Sequence, residues 1–293
     1  MNGEKEVLKQ DWQVLVGFWD ESTAMGFVQG QGIPLKPDEI SALQNKFRIA
    51  RQYVQGLPER RDNPEIRPME ADASETLRNK LESEGTFKEH LTGMGSRAEI
   101  VWVELAKLIV FQPLLNTSYI RSMAVPPEAE AQQVIEFCLP LTSKGPLKQA
   151  LQAFNAPTNT YSIITENLDF RILGNVQGED PQSRRKFVGF AFGGGLPQMS
   201  VVEYRGRYIL KNGYHRASAL LNAGHRFMPC LLMHADNYAA TGAGQAGFFT
   251  VDTVTSAKPP LLGDFMSSAA VAIPRRLFRV ILTVHAEVQV IPV

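Results

Sequence analysis

VVEYRGRYILKNGYHRASALLNAGHRFMPCLL, residues 201–232, opens with the clearest hairpin pattern in the chain. Two short runs rich in β-branched and aromatic residues, 201–204 and 207–210, lie on either side of Arg205 and Gly206. A two-residue connection that includes glycine is typical of a tight β-hairpin, because glycine tolerates a positive φ. We therefore predict two paired strands here.

A helix and a third strand follow the predicted hairpin. The segment after Gly213 carries apolar residues at helical spacing, and Gly224 ends it. The apolar residues of this helix are Ala217, Leu220 and Leu221. Residues 227–233 form an apolar run that predicts a strand. The predicted order is strand, strand, glycine turn, helix and strand.

Residues 212–216, Asn-Gly-Tyr-His-Arg, lie where a strand turns into a helix, and we call them the glycine turn. A helix amino terminus has unpaired N–H groups and the positive end of the helix dipole, and Gly213 lets the backbone approach a phosphate closely. Arg216, in the first turn of the helix, adds a bidentate clamp for an anion. Spacing alone leaves a second interpretation open, in which Gly213 only makes the turn while His215 and Arg216 are solvated surface residues.

The segment from Gly206 to Cys230 resembles the core of the ParB/sulfiredoxin superfamily. Members of that superfamily carry a strand, a Gly-x-His-Arg or Gly-x-Arg-Arg turn, a helix and a strand. The resemblance covers about residues 201–232, with weaker support back to Tyr161, and it implies nothing about residues 1–155. Its motif is moderately specific.

In that superfamily the turn binds nucleotide phosphates: ATP in sulfiredoxins and free serine kinases, and CTP in chromosome-partition ParB proteins. The resemblance implies that Gly213, His215 and Arg216 contact the phosphates, with Asn212 and Tyr214 in the same nucleotide site. Tyr214 would stack on a base or, in the alternative, pack on the hairpin. The implied cofactor is a nucleoside triphosphate, ATP or CTP, together with Mg²⁺.

The chain departs from two branches of the superfamily. Sulfiredoxins place a reactive cysteine where this chain has Tyr214, so we do not expect reduction of sulfinic acids. ParB partition proteins continue into a helix-turn-helix, whereas residues 237–260 here are rich in Gly, Ala and Thr. We therefore do not expect a role in DNA partition.

A phosphotransferase similar to the free serine kinases also needs a carboxylate base. We predict Glu166 and Asp169 as catalytic residues and Asp169 as the metal ligand, because two acids so close together suit a metal-bound nucleotide. Glu203 is the reserve candidate, although its place on the hairpin is also compatible with a solvent-facing side chain. The segment of Glu166 and Asp169 could equally be a capped surface turn, and the residues alone leave this open.

These features predict a nucleotide-binding protein that is a kinase-like phosphotransferase or a nucleotide hydrolase. Its partners would be a nucleotide and a small-molecule or protein acceptor. An alternative from a different class is a non-catalytic module for nucleotide sensing or protein interaction. A ParB-like regulator that binds nucleic acid is a further alternative, supported by fold analogy alone.

Composition narrows these classes. The 293 residues are 44% hydrophobic and 20% charged, which is ordinary for a globular protein. Thirty basic and thirty acidic residues give no net charge, which argues against a nucleic-acid partner. Cys138 and Cys230 lack the spacing of a zinc site, so we expect a reducing, cytoplasmic setting.

Neither a signal peptide nor a membrane segment is expected. The amino terminus lacks an apolar core behind a basic segment, and the most apolar stretch, residues 100–115, is interrupted by charged residues and a proline. The sequence is compatible with a homo-oligomer and does not specify one.

We predict an α+β protein: a helical N-terminal region followed by a ParB/sulfiredoxin-like mixed-sheet domain. Residues 1–155 form the mainly helical region, which would dock a partner or cover the substrate, and residues 156–293 form the nucleotide-binding domain. The predicted helices comprise the apolar stripe from Leu8 to Trp19, the stripe from Ile40 to Val54, two helices that start near Asp72 and Ser96, and residues 128–138. Residues 107–115 fit either a helix end or a buried strand.

Glycine and polar residues divide the second half into shorter elements. Strand pieces are predicted at 161–165 and 170–173, followed by a polar loop at 174–186. Residues 189–195 predict a flexible flap or a closely packed loop. The alternating tail, 277–293, predicts a final strand at a sheet edge.

Overall fold

The computed structural model describes residues 9–30, 35–83, 98–141, 151–165, 170–179, 182–193, 198–244, 247–276 and 280–287. The chain divides into two compact units. The larger unit comprises 1–143 and 197–276, and the smaller unit comprises 144–196 and 277–293. The predicted domain boundary at residues 155 and 156 thus lies within the smaller unit.

The α+β class is confirmed: the described residues form seven α-helices and four β-sheets. The helices are α1 (Glu21–Gly30), α2 (Pro37–Gly56), α3 (Ala71–Ser83), α4 (Thr117–Arg121), α5 (Ala131–Cys138), α6 (Tyr214–Asn222) and α7 (Val251–Val254). Helix α2 begins at Pro37, which suits a first turn, and ends at Gly56, so it contains the predicted stripe from Ile40 to Val54. The apolar residues Leu43, Phe47 and Ala50 bury one face of this helix. Only some of the helices belong to the N-terminal region.

A mixed five-stranded sheet forms the centre of the larger unit, in the order β10-β9-β11-β3-β2. Its strands are β2 (Ile66–Pro68), β3 (Glu99–Glu104), β9 (Ser200–Tyr204), β10 (Arg207–Asn212) and β11 (Phe227–His234). Strand β11 runs parallel to β9 and antiparallel to β3. Residues 227–233 are all buried, which explains the continuous apolar run in the sequence.

The predicted hairpin, helix and strand of residues 201–233 are confirmed. Arg205 and Gly206 connect β9 to β10 with φ values of 52° and 73°, the left-handed pair that a type I′ turn requires. Helix α6 follows β10, and Gly224, with φ 91°, comes directly after its C-cap. The local sequence therefore specifies this whole motif.

The predicted helix through Trp12 is wrong. Lys9–Val14 is strand β1, which pairs with β12 (Val271–Arg276) and with β4 (Leu114–Asn116) in a three-stranded antiparallel sheet. Trp12 and Val14 lie on one face of β1 and are buried in a cluster that includes residues of α1 and α2. Pairing with a strand near the other end of the chain overrides the helical spacing of these apolar residues.

The region 1–155 is less helical than predicted, since it contains β1 to β4 and, in the smaller unit, β5 (Leu151–Asn155). The helix expected to start near Ser96 is wrong, because Glu99 begins β3 and pairs with Leu232. Residues 105–113 are mostly irregular, and Ile109 makes isolated bridges to Ile209 and to Leu261.

The smaller unit contains two sheets of its own. One has the order β13-β6-β5, with β6 at Thr160–Thr165 and β13 at Val280–His285, so the predicted final strand is confirmed at a sheet edge. The other is the hairpin of β7 (Arg171–Glu179) and β8 (Lys186–Gly193). The loop predicted at 174–186 is wrong over most of its length, because residues 174–179 are part of β7 and pair with β8. The flexible flap is wrong over residues 189–193, which are part of β8.

None of the described helices is long and apolar enough to cross a bilayer.

Candidate functional site

The glycine turn joins β10 to α6 in the larger unit. Gly213 has φ 97° and ψ 23°, a left-handed conformation, and a Cβ atom there would lie 2.6 Å from Cγ of Met199. A side chain at this position would carry left-handed backbone strain and would also require Met199 to move. The backbone conformation at this position therefore favours glycine.

Backbone amides are the groups of this turn that could hold an anion. The amide of Ala217 donates to the carbonyl of Gly213 at 2.8 Å and forms the first hydrogen bond of α6. The amides of residues 214–216 have no acceptor within the helix, as at any helix start. A left-handed residue followed by right-handed ones directs successive N–H groups to one side, in an arrangement that suits an anion.

The guanidinium of Arg216 is directed at the end of another helix. Its Nη1 atom donates to the carbonyls of Phe137 and Cys138, at 3.1 and 3.3 Å, which are the last residues of α5. Burial lowers the pKa of Arg216. A cation at a helix C-terminus is favourable, because it meets unpaired carbonyls and the negative end of the dipole. In this structure Arg216 ties α6 to α5.

His215 is held as a neutral side chain. Its Nε2 atom accepts a hydrogen bond from the amide of Asn116 at 3.1 Å, so the proton of the neutral ring is on Nδ1. Burial lowers the pKa of His215 to about 4. The rings of Trp12 and Tyr119 contact it edge-on. His215 therefore adds no positive charge to the turn at neutral pH.

Tyr214 is part of the core. Its hydroxyl donates to the carbonyl of Leu210 at 2.7 Å and accepts from the amide of Phe111 at 3.1 Å. The two aromatic rings pack edge-on at 5.5 Å, and burial raises the pKa of the phenol. This environment corresponds to the packing alternative and leaves the ring no face for a nucleotide base.

Asn212 connects the turn to the neighbouring strand. Its Nδ2 atom donates to the carbonyl of Gln198 at 2.8 Å, and in register it faces Ser200. Among the described residues, Oε1 of Gln198 and Oγ of Ser200 are buried without a hydrogen-bond partner. Buried polar atoms are nearly always paired, with protein, water or ligand, so polar groups in need of a partner lie next to the turn.

The predicted carboxylates are not brought to the turn by any described contact. Glu166 and Asp169 lie outside the described residues. The carboxylate of Glu203 forms a hydrogen bond with Nδ1 of His234 at 2.9 Å and accepts another from the amide of Gly206. The hydrogen bond with His234 lowers the pKa of Glu203. Glu203 is therefore at the hairpin end of the sheet, separated from Gly213 by about 16 Å of strand.

No group of three or more His, Cys, Asp or Glu side chains that could hold a metal ion occurs among the described residues. Asp169, the predicted Mg²⁺ ligand, is not one of these residues. Its role remains a prediction.

A second concave surface was not predicted from the sequence. A cavity of about 330 Å³ lies at the hairpin end of β9 and β10. It includes Arg205 and Arg207, which flank Gly206 in the sequence. Two arginines at a predicted hairpin tip were the available signal, but the other walls come from distant segments.

Comparison with known proteins found no match to this chain among protein-family models, curated proteins or solved structures. The likeness of the glycine turn to the ParB/sulfiredoxin superfamily therefore stays a prediction from the residues themselves.

Proposed function

We propose that this protein binds a nucleoside triphosphate, ATP or CTP, through the backbone amides of the glycine turn. The observation that carries the proposal is the left-handed Gly213 directly before α6. It supports close approach of a phosphate to the first amides of a nine-residue helix, where the dipole also favours an anion. Phosphate is held mainly by backbone groups, since the side chains of His215 and Arg216 bond within the protein.

The same environment favours nucleotide sensing without turnover. A neutral histidine with a low pKa, a buried phenol and a guanidinium bonded to carbonyls provide neither a base nor a Mg²⁺ ligand. A phosphotransferase or hydrolase would have to take both from elsewhere, with Glu166 and Asp169 the candidates. We place the protein in the cytoplasm, which suits its two buried free cysteines.

The test compares nucleotide binding and turnover in the full chain. Isothermal titration and thermal shift with ATP and CTP, with and without Mg²⁺, measure binding, because a ligand of the folded state raises Tm by mass action. Release of phosphate from the same samples measures turnover. Binding of at least one nucleotide with no turnover is the expected result.

A matched pair of variants assigns the binding to the turn. Gly213→Ala and Gly224→Ala both place a side chain at a left-handed position, at opposite ends of α6. Only Gly213 lies next to the amides that are proposed to bind phosphate. We expect the first to abolish nucleotide binding and the second to retain it. Absence of binding in the wild type, or equal affinity in Gly213→Ala, would refute the proposal. Turnover that disappears in Glu166→Gln or Asp169→Asn would replace sensing by catalysis.

A further inference from the structure

The cavity at the tip of the β9–β10 hairpin, which we call the hairpin cavity, has walls from four segments of the larger unit. These are residues 60–64, 107–109, 205–208 and 259–261. Its volume of about 330 Å³ is within the range of small-molecule sites. It lies at the start of β10, about 20 Å of strand from Gly213. The hairpin cavity is thus separate from the glycine turn.

Backbone hydrogen bonds fix the walls of the hairpin cavity against one another. The amide of Ile109 donates to the carbonyl of Tyr208 at 3.0 Å, and the amide of Val110 donates to Pro260 at 2.9 Å. Three of the four segments are therefore joined through residues 109 and 110. A ligand would meet a preformed surface, which lowers the entropy cost of binding.

Arg60 anchors the fourth segment. Its guanidinium makes two hydrogen bonds to the carboxylate of Asp264 and one to the carbonyl of Pro259, at 2.8 Å. Both charged side chains are largely buried, with exposed fractions of 14% and 6%. Arg60 is therefore held by Asp264 and Pro259 and acts as part of the wall.

Positive charge dominates the lining of the hairpin cavity. Arg61 pairs with Glu59, and Lys107 pairs with Glu104 at 3.1 Å. Within the described part of the chain, Arg205 and Arg207 have no carboxylate partner, and Asp62 is the single acidic residue of the lining. The hairpin therefore presents two guanidinium groups without a described carboxylate partner at a concave surface, and that of Arg205 also lies over the ring of Tyr204, 5.2 Å from its centroid.

The position of Arg205 is costly for an arginine. Its φ of 52° is left-handed, and the first central position of a type I′ turn favours Asn, Asp or Gly. Asn-Gly at these two positions would stabilise the turn of the hairpin more than Arg-Gly does.

We infer that the hairpin cavity is a second binding site, for a small phosphorylated organic molecule of about the size of a sugar phosphate. Guanidinium groups match the geometry of phosphate oxygens, and Arg205 and Arg207 lie on the two sides of one turn. Ile109, Tyr208 and Leu261 add apolar and aromatic surface for the organic part. A concave site with so few free cations suits a small molecule better than a nucleic-acid backbone.

Titration of the full chain with ribose 5-phosphate, with ribose as the unphosphorylated control, tests this inference. Arg205→Asn removes the charge and installs a residue better suited to the turn, so loss of binding cannot be attributed to unfolding. Arg207→Gln removes the second charge. The matched control is Arg48→Gln, which removes an exposed arginine on α2.

We expect ribose 5-phosphate to bind and ribose not to bind. Arg205→Asn and Arg207→Gln should each weaken binding by about tenfold or more, the effect of losing a hydrogen bond to a charged group, and Arg48→Gln should leave it unchanged. Failure of ribose 5-phosphate to bind the wild type, equal binding by both hairpin variants, or binding of an RNA oligonucleotide alone would overturn the inference. Gly213→Ala should not affect this titration, so its outcome is independent of the proposed nucleotide site.

Discussion

Cγ of Met199 lies 2.6 Å from the position that a Cβ atom would occupy at Gly213. Gly224, at the other end of α6, is also left-handed, with φ 91°, but among the described residues no atom beyond its chain neighbours lies within 4 Å of its Cβ position. A side chain at Gly224 would therefore cause backbone strain alone, whereas a side chain at Gly213 would cause backbone strain and steric overlap.

Gly213→Ala should lower the free energy of unfolding by about 2–4 kcal/mol, and Gly224→Ala by about 1–2 kcal/mol. Both variants carry the left-handed strain, and the first must also displace the Met199 side chain. Urea denaturation followed by circular dichroism measures both. Equal losses would show that Met199 moves without cost.

His215 should make stability depend on pH. Its pKa is lowered by burial to about 4 in the folded protein, against 6.5 in the unfolded chain, so the unfolded state binds more protons between these values. The stability that comes from keeping His215 neutral is fully present above pH 6.5. It is lost as the pH falls toward 4, which lowers the free energy of unfolding by up to about 3 kcal/mol.

The variant His215→Gln isolates this contribution, because glutamine does not titrate and its Oε1 atom can still accept from Asn116. Between pH 7 and pH 4.5 the wild type should lose more stability than the variant, as measured by urea denaturation at each pH. Parallel losses would mean that His215 titrates normally in the folded state.

Arg216→Ala should separate a structural from a ligand-binding role. Loss of two charge-assisted hydrogen bonds to the end of α5 should cost about 1.5–3 kcal/mol of unfolding free energy. The affinity for ATP or CTP should change less than about threefold if backbone amides hold the phosphate. Denaturation and isothermal titration give the two values. A large affinity loss in folded protein would instead show that the guanidinium turns toward the nucleotide.

The Arg60–Asp264 pair should be costly to break on one side. Asp264→Asn leaves a mostly buried guanidinium uncompensated and should destabilise the protein by about 3–5 kcal/mol. The double variant Arg60→Met with Asp264→Leu should recover part of that loss, since no buried charge remains. Calorimetric unfolding of Arg60→Met, Asp264→Leu and the double variant measures the coupling. Additive losses would contradict a desolvated pair.

Local patterns were sufficient for the motif of residues 201–233 and for helix α2. Turn chemistry at Arg205 and Gly206, the glycine before α6 and the spacing of apolar residues all act over a few residues. The turn from strand to helix at Gly213 was predicted for the same reason, because it depends on adjacent residues.

Long-range contacts decided what local patterns could not. Trp12 lies in a strand because β1 pairs with β12, and no short window of sequence contains that partner. His215 and Arg216 were predicted as phosphate contacts, yet their partners, Asn116 and the last carbonyls of α5, are distant in the chain. Such distant partners determine the orientation and the protonation state of a buried side chain. Buried polar groups must form hydrogen bonds, and burial disfavours the charged form. The hairpin cavity likewise exists only because four separate segments meet in the folded chain.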